Sequence, residues 1–202
     1  MRLKTENLRN SRDTYINWPN KIKNIVDSYT SKGASIPNAT QKDGIQNCID
    51  ALNPKNKKDH KIVIRLVKIQ NTNCLIIEDY GTFGLTGDVL REKYMEKDLP
   101  LDQRWGRFEN LAFNKDPDEK TLGARGQGKF MLLAASNKIR FTKKGAEINK
   151  EDVPYMLYDT LRDDGVYRLG IRRVCRTESL IKAFEGDDAI NELELQTGVP
   201  DS

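Results

Sequence analysis

The sequence predicts a mixed α/β chain of the α+β kind, and three observations carry that expectation. Apolar residues recur at helical spacing in Ile22, Ile25, Val26 and Tyr29, and the run Phe130–Ser136 reads as a buried helix. Two stretches read as β-hairpins: Lys61–Ile69 with Cys74–Asp79, and Pro154–Asp163 with Val166–Val174. The composition, 37% hydrophobic and 32% charged over 202 residues, is that of a polar globular chain long enough to bury a core.

Taken in order, residues 1–17 are polar and without period, and are expected to form an arm. Asn17 and Pro19 mark a helix start, Asn17 as cap and Pro19 in the first turn, and Gly33 is expected to end that helix. Ser35–Thr40 reads as a turn, with Asn38 or Thr40 capping a central helix over Gln41–Ala51. That helix places Asp43, Asn47 and Asp50 on one face, a polar stripe flanked by Ile45, Cys48, Ile49 and Leu52. Lys61–Ile69 alternates as a strand, Asn71–Asn73 is a turn, and Cys74–Asp79 is apolar enough to be a central strand. Asp88–Leu122 is long, charged and poorly periodic, with a helical candidate at Gly87–Met95; a segment of that length suggests a lid or binding loop. Lys138–Lys144 is a strand, Asp164–Gly165 a hairpin turn, and Glu178–Glu185 a short helix. The closing LELQTGVPDS shows no helix cap.

Several function classes are disfavoured. No apolar run approaches the roughly 18–20 residues that cross a bilayer. Cys48, Cys74 and Cys175 are far apart, and His60 has no partner at a metal-ligand spacing, which argues against a zinc site or a disulfide framework. With no apolar leader in Met1–Asp13, the expected setting is cytoplasmic, and no membrane partner is expected. The net charge of +4 does not by itself indicate nucleic acid.

The chemistry-bearing stretch is Gly123–Lys129, where glycines lead into an apolar helix. Exposed backbone N–H groups at such a helix start hold phosphates. A Walker A loop is excluded because Phe130 stands where Ser or Thr would hold Mg²⁺, and no apolar strand precedes it. A dinucleotide fingerprint is excluded because the glycines are spaced GxxGxG.

Three motifs in order are Asp43-Gly-Ile-Gln-Asn47-Cys-Ile-Asp50-Ala51, Asp79-Tyr-Gly81-Thr-Phe-Gly84 and Gly123-Ala-Arg125-Gly126-Gln127-Gly128-Lys129. Together they resemble the GHKL ATPase superfamily of gyrase, the large heat-shock chaperones, histidine kinases and MutL proteins, across about residues 20–175. The closest resemblance is to gyrase-like and MutL-like N-terminal ATPase domains. It implies a Bergerat fold, a two-layer sandwich of a mixed, mostly antiparallel sheet against helices, spanning residues 18–202 with an ATP lid at about 86–128. By that resemblance Asp43 is the general base, Asn47 holds Mg²⁺ through its amide oxygen, and Asp79 accepts from the adenine amino group. Gly81 lets the backbone approach the base, while Gly123, Gly126 and Gly128 wrap the phosphates. Gly84, Arg125 and Gln127 complete the nucleotide contacts; Lys129 adds charge to a phosphate or lies on the helix surface.

Two departures stand out. The family's glutamate base is here Asp43, one methylene shorter, so slow hydrolysis, a helix that sits closer to the nucleotide, or a binding-only switch is implied. The second motif carries one extra residue, which a bulge at Thr82–Phe83 would absorb. Asp50 reads as structural, Arg104, Arg107 and Arg125 as lid or loop cations that are solvated or touch a phosphate, and Tyr80 and Phe83 as groups that pack near the adenine or in the core and loops. The implied cofactors are ATP and Mg²⁺. The implied partners are a second copy or another subunit engaged on ATP binding, with nucleic acid reached through a longer protein of which this chain is the N-terminal part. A histidine-kinase role is disfavoured because His60 sits in a loop, and a nucleic-acid role would rest on Lys55–Lys58 and Lys143–Lys144.

Overall fold

A computed structural model describes residues 17–31, 33–87, 102–109, 128–136, 138–150, 152–162 and 164–198. The first helix, α1 (Trp18–Thr30), is capped by Asn17, whose side chain accepts from the Asn20 N–H at 3.1 Å, with Pro19 in the first turn. It buries Trp18, Ile22, Ile25 and Val26. The helix ends at Ser31, two residues before Gly33, whose φ of 83° turns the chain.

The central helix, α2 (Ile36–Asp50), begins earlier than its polar stripe suggests. Ser35 is the cap, accepting from the Asn38 N–H at 3.4 Å, and Pro37 occupies the first turn. Proline's preset φ makes it a helix opener there, so Asn38 and Thr40 lie inside the helix and cap nothing. A 3₁₀ segment (Pro54–Asp59) follows, and then the hairpin β1 (Lys61–Ile69) and β2 (Thr72–Tyr80), in register from Lys61↔Tyr80 to Ile69↔Thr72. The hairpin turns at Gln70, with φ 52°, and Asn71.

Among the described residues β2 pairs with β1 alone, and there it is an edge strand where a central one is expected. The physical reason is partial cover. Ile77 packs under Gly44 of α2, where a methyl group would come within 2.4 Å of Ile77 Cδ1. The same face runs on past the helix through Leu75, and Leu66 there is 82% exposed.

Helices α3 (Arg104–Glu109) and α4 (Gly128–Ala134) come next, then the hairpin β3 (Ile139–Thr142) and β4 (Gly145–Ile148). The antiparallel sheet β5 (Tyr155–Leu161), β6 (Tyr167–Val174) and β7 (Ser179–Glu185) follows, and the described chain closes on α5 (Asp187–Thr197). The expected helix at Glu178–Glu185 is therefore the strand β7. A run of eight residues is too short to be helical without tertiary support, whereas β6 offers it a full ladder from Arg168↔Glu185 to Val174↔Ser179. The chain end likewise carries a helix: Asp187 and Asp188 sit in its first turn, where the dipole favours acids, and left-handed Gly198 closes it.

The main core gathers α1, α2 and α4 over the β3–β4 hairpin and the end of β6: Trp18, Ile22, Ile25, Val26, Ala39, Phe130, Met131, Leu133, Ala134, Ile139 and Val174. Trp18 stacks on Phe130 with ring centroids 5.9 Å apart. The molecule is thus a mixed α/β structure of small antiparallel sheets and helices, and no helix among its described residues is long and apolar enough to cross a membrane. The expected arm lies outside the described residues but for Asn17, and the helical candidate at Gly87–Met95 lies outside them but for Gly87.

Candidate functional site

Helix α2 is the spine on which the sequence motifs meet. Near its start Thr40 Oγ1 donates to Ile36 O at 2.8 Å and lies 3.2 Å from Met131 O, tying α2 to α4. One turn on, Asp43 lies against Gly128. A methyl group on Gly128 would come within 3.2 Å of Asp43 Cβ and Oδ2, so a larger residue there would require the Asp43 side chain to give by a few tenths of an ångström. Burial pushes the Asp43 carboxyl above its usual range, against a hydrogen bond from Tyr29 and the charge of Lys42. Its Oδ2 is buried without a hydrogen-bond partner.

Asn47 is exposed one turn further along, on the Asp43 side of the helix. Cys48 is buried on the neighbouring side and meets Asp79 at the end of β2. Burial first, then the charge of Asp79 and a hydrogen bond to it, push the Cys48 thiol up to about 12, so the group is a thiol that donates and not a reactive thiolate. Asp79 also accepts from Thr82 Oγ1 at 2.7 Å. Two donors therefore orient an otherwise exposed carboxylate, which retains acceptor capacity for a further N–H.

The turn after β2 is bound to the end of α2: Phe83 N–H donates to Ala51 O at 2.8 Å, and Asn53 N–H to Gly81 O at 3.0 Å. Gly81 has φ 67°, and a methyl group there would come within 2.9 Å of the Asp59 backbone and the His60 ring. Crowding by the 3₁₀ segment thus already demands glycine at 81. Gly84, with φ 64°, is closed in by Thr160 Oγ1, 2.6 Å from where a methyl group would stand. Tyr80 is 47% exposed, and Phe83 lies under the Arg104 guanidinium at 4.4 Å.

Of the glycine motif, Gly123, Arg125, Gly126 and Gln127 lie outside the described residues. Lys129 is placed, and it is neither on the helix surface nor in the open. It is 3% exposed, donates to the Phe108 carbonyl, and lies 5.6 Å from the Phe108 ring centroid. Burial first, and then Arg172, lower its pKa well below the ordinary value, with Glu109 opposing.

Lys129 belongs to a buried polar cluster that the sequence reading missed. Glu109 of α3 is 2% exposed, accepts from the Tyr158 hydroxyl, and is pushed above its usual range by burial. Arg172 is 2% exposed and donates to the Glu109 carbonyl at 2.5 Å. Arg168, also 2% exposed, donates to Gly87 O at 2.6 Å, binds Glu185, and lies 5.0 Å from the Trp105 ring centroid. The overlooked signal was the alternation Arg168-Leu-Gly170-Ile-Arg172: two charges and a glycine on one strand face, backed by Leu169 and Ile171 on the other.

Elsewhere, a groove of about 380 Å³ lies between the start of α1 and the β3–β4 hairpin, lined by Asn17, Asn20, Lys144, Glu147 and Arg176 among others; none of the described motif residues lines it. Among the described residues no three His, Cys, Asp or Glu gather as a metal cage. A Mg²⁺ ion that keeps its waters and takes one protein oxygen beside phosphates needs no such cage, so the exposed Asn47 amide fits it. The oriented Asp79 carboxylate likewise fits an amino-bearing base. Comparison with known proteins gives no match, whether to family models, curated sequences or solved structures.

Proposed function

We propose that this chain is a Mg²⁺-ATP-binding domain of GHKL type that hydrolyses ATP slowly. The single observation that supports the reading is the convergence on α2. The helix touches Gly128 of the third motif through Asp43, and Asp79 of the second through Cys48, while Asn47 lies exposed between them. Motifs distant in sequence are thereby adjacent, as one nucleotide site requires. On this reading Asp79 receives the adenine amino group, Asn47 carries Mg²⁺, and the backbone from Gly123 to Gly128 receives the phosphates. ATP binding would close a lid over about residues 86–128 and create a contact surface for a second copy or a partner. The larger ATP-dependent process would be DNA-related or defence-related.

A second reading, a nucleotide-binding switch without turnover, draws support from Asp43. Its carboxylate is packed against Gly128 and accepts a hydrogen bond from Tyr29, both of which compete with a water for hydrogen-bond reach. Calorimetric titration with a non-hydrolysable ATP analogue, with and without Mg²⁺, tests the site. Mg²⁺-dependent binding by the wild type that Asp79→Asn loses is expected; an unaffected Asp79→Asn would refute the assignment of the adenine contact. Single-turnover hydrolysis with Asp43→Ala as control then separates the ATPase from the switch.

A further inference from the structure

Three buried cations from two other elements hold main chain in and beside α3, and Arg168 also lies over the ring of its Trp105. Arg168 and Arg172 of β6 donate to the carbonyls of Gly87 and Glu109, at 2.6 and 2.5 Å, and Lys129 of α4 donates to that of Phe108. The same region is closed at its base: Trp105 N–H donates to Thr86 O at 2.8 Å, and Thr86 Oγ1 to Asp102 O at 2.8 Å. Trp105 itself is fully buried. Lys129 directly follows the last glycine of the third motif, yet its ammonium points inward among the Phe108 and Phe130 rings, 5.6 and 5.9 Å from their centroids. A cation serving a phosphate would project to solvent, where the ligand arrives. This one spans from the first turn of α4 to the last turn of α3.

We propose that Lys129 is a positioning residue that fastens α4 to α3 and does not touch phosphate, so that nucleotide held ahead of α4 is coupled to the seating of α3 on the β5–β6–β7 sheet. The coupling rests on the ATP-site reading above; the fastening does not. Loss of the ammonium leaves the Phe108 carbonyl without this donor and Glu109 with Arg172 as its remaining close counter-charge.

The test combines amine acetylation of the full wild-type chain, read by peptide mass spectrometry, with amide hydrogen exchange on wild type and Lys129→Met. Each is run with and without Mg²⁺ and a non-hydrolysable ATP analogue. Lys129 is expected to acetylate at least about ten-fold more slowly than exposed Lys144 already in the absence of the analogue. In Lys129→Met the amides of residues 105–109 are expected to exchange about ten-fold faster relative to those of β6, as the loss of one charge-assisted bond implies. The analogue should slow α3 exchange in wild type and fail to do so in the variant, and AMP, ADP and analogue affinities should change by a common factor. A Lys129 that acetylates like a surface lysine and is protected by nucleotide overturns the proposal, as does a variant that loses the triphosphate analogue selectively. Should Lys129→Met fail to fold, the wild-type acetylation pattern decides. Should wild type bind no nucleotide, the ATP reading and the coupling fall, and exchange at residues 105–109 alone decides the fastening.

Discussion

Gly170→Ala is the substitution that probes the buried cluster most directly. Gly170 is buried in β6, and a methyl group on it would lie 2.2 Å from Tyr158 Cε2 and 2.3 Å from its Cζ. The ring cannot swing aside at little cost, because Trp105 and Phe108 hold it at centroid distances of 5.2 and 4.9 Å and its hydroxyl donates to Glu109. Overpacking of this kind costs about 1–3 kcal/mol. Expelling the hydroxyl from a buried carboxyl forfeits a hydrogen bond worth about 1.5–3 kcal/mol. Replacing a strand glycine returns about 0.5–1 kcal/mol of backbone entropy. The net loss is about 2–5 kcal/mol. Urea denaturation with an m-value of about 2 kcal/mol/M would then show the midpoint falling by about 1–2.5 M with m unchanged. Gly165→Ala is the control: Gly165 has φ 78° and open space around it, so only the left-handed penalty of about 1 kcal/mol applies. A Gly170→Ala chain within about 0.5 kcal/mol of wild type would refute the tight Tyr158–Gly170 contact and the cluster energetics built on it.

Further outcomes follow from the site. On the proposed ATP-site reading, Asp79→Asn keeps the shape of the residue but would turn a donor toward the adenine amino group, and should weaken analogue binding at least about ten-fold by calorimetry. Asp43→Asn should stabilise the chain near neutral pH. The folded carboxyl takes its proton at a higher pH than the unfolded one, whose reference is 3.8, so the folded state binds more protons and stability falls as pH rises through that window. Thermal melts should show the gain at pH 7.5 and its loss below about pH 3.5; a gain that is the same at both pH values would contradict the burial of Asp43. Gly81→Ala, with φ 67° and backbone of the 3₁₀ segment at 2.9 Å, should lower stability by about 2–4 kcal/mol with or without nucleotide, read by urea denaturation.

What was legible in the sequence was local. The strand Lys61–Ile69 could be read residue for residue because its alternation and the polar residues around it agree. The Asn17 cap was equally plain, since cap chemistry acts within one turn. Glu178–Glu185 is ambiguous in the sequence because Leu180, Ile181, Ala183 and Phe184 suit either period over so short a run, and the edge of β6 that decides between them is a tertiary fact. For the site, the spacing of Asp43, Asn47 and Asp50 was visible, whereas the contact of Asp43 with Gly128 depends on where α4 docks. The direction of Lys129 was illegible for the same reason: Phe108 is distant in sequence, and no local pattern says that a lysine beside a glycine loop turns inward.

The β1–β2 hairpin bears on how the chain behaves at high concentration. Among the described residues both its outer edges are unpaired, and Ile64, Leu66 and Leu75 are 41%, 82% and 45% exposed on one face. A ribbon with open backbone edges and an oily face is a nucleus for self-association. Lys61 and Lys68 stand exposed near the two ends of β1, so two copies aligning through that strand bring like charges together. That guard is electrostatic and is weakened by salt. Precipitation on raising ionic strength should therefore start at this ribbon, and replacing Leu66 with lysine is the change that would keep the chain dispersed.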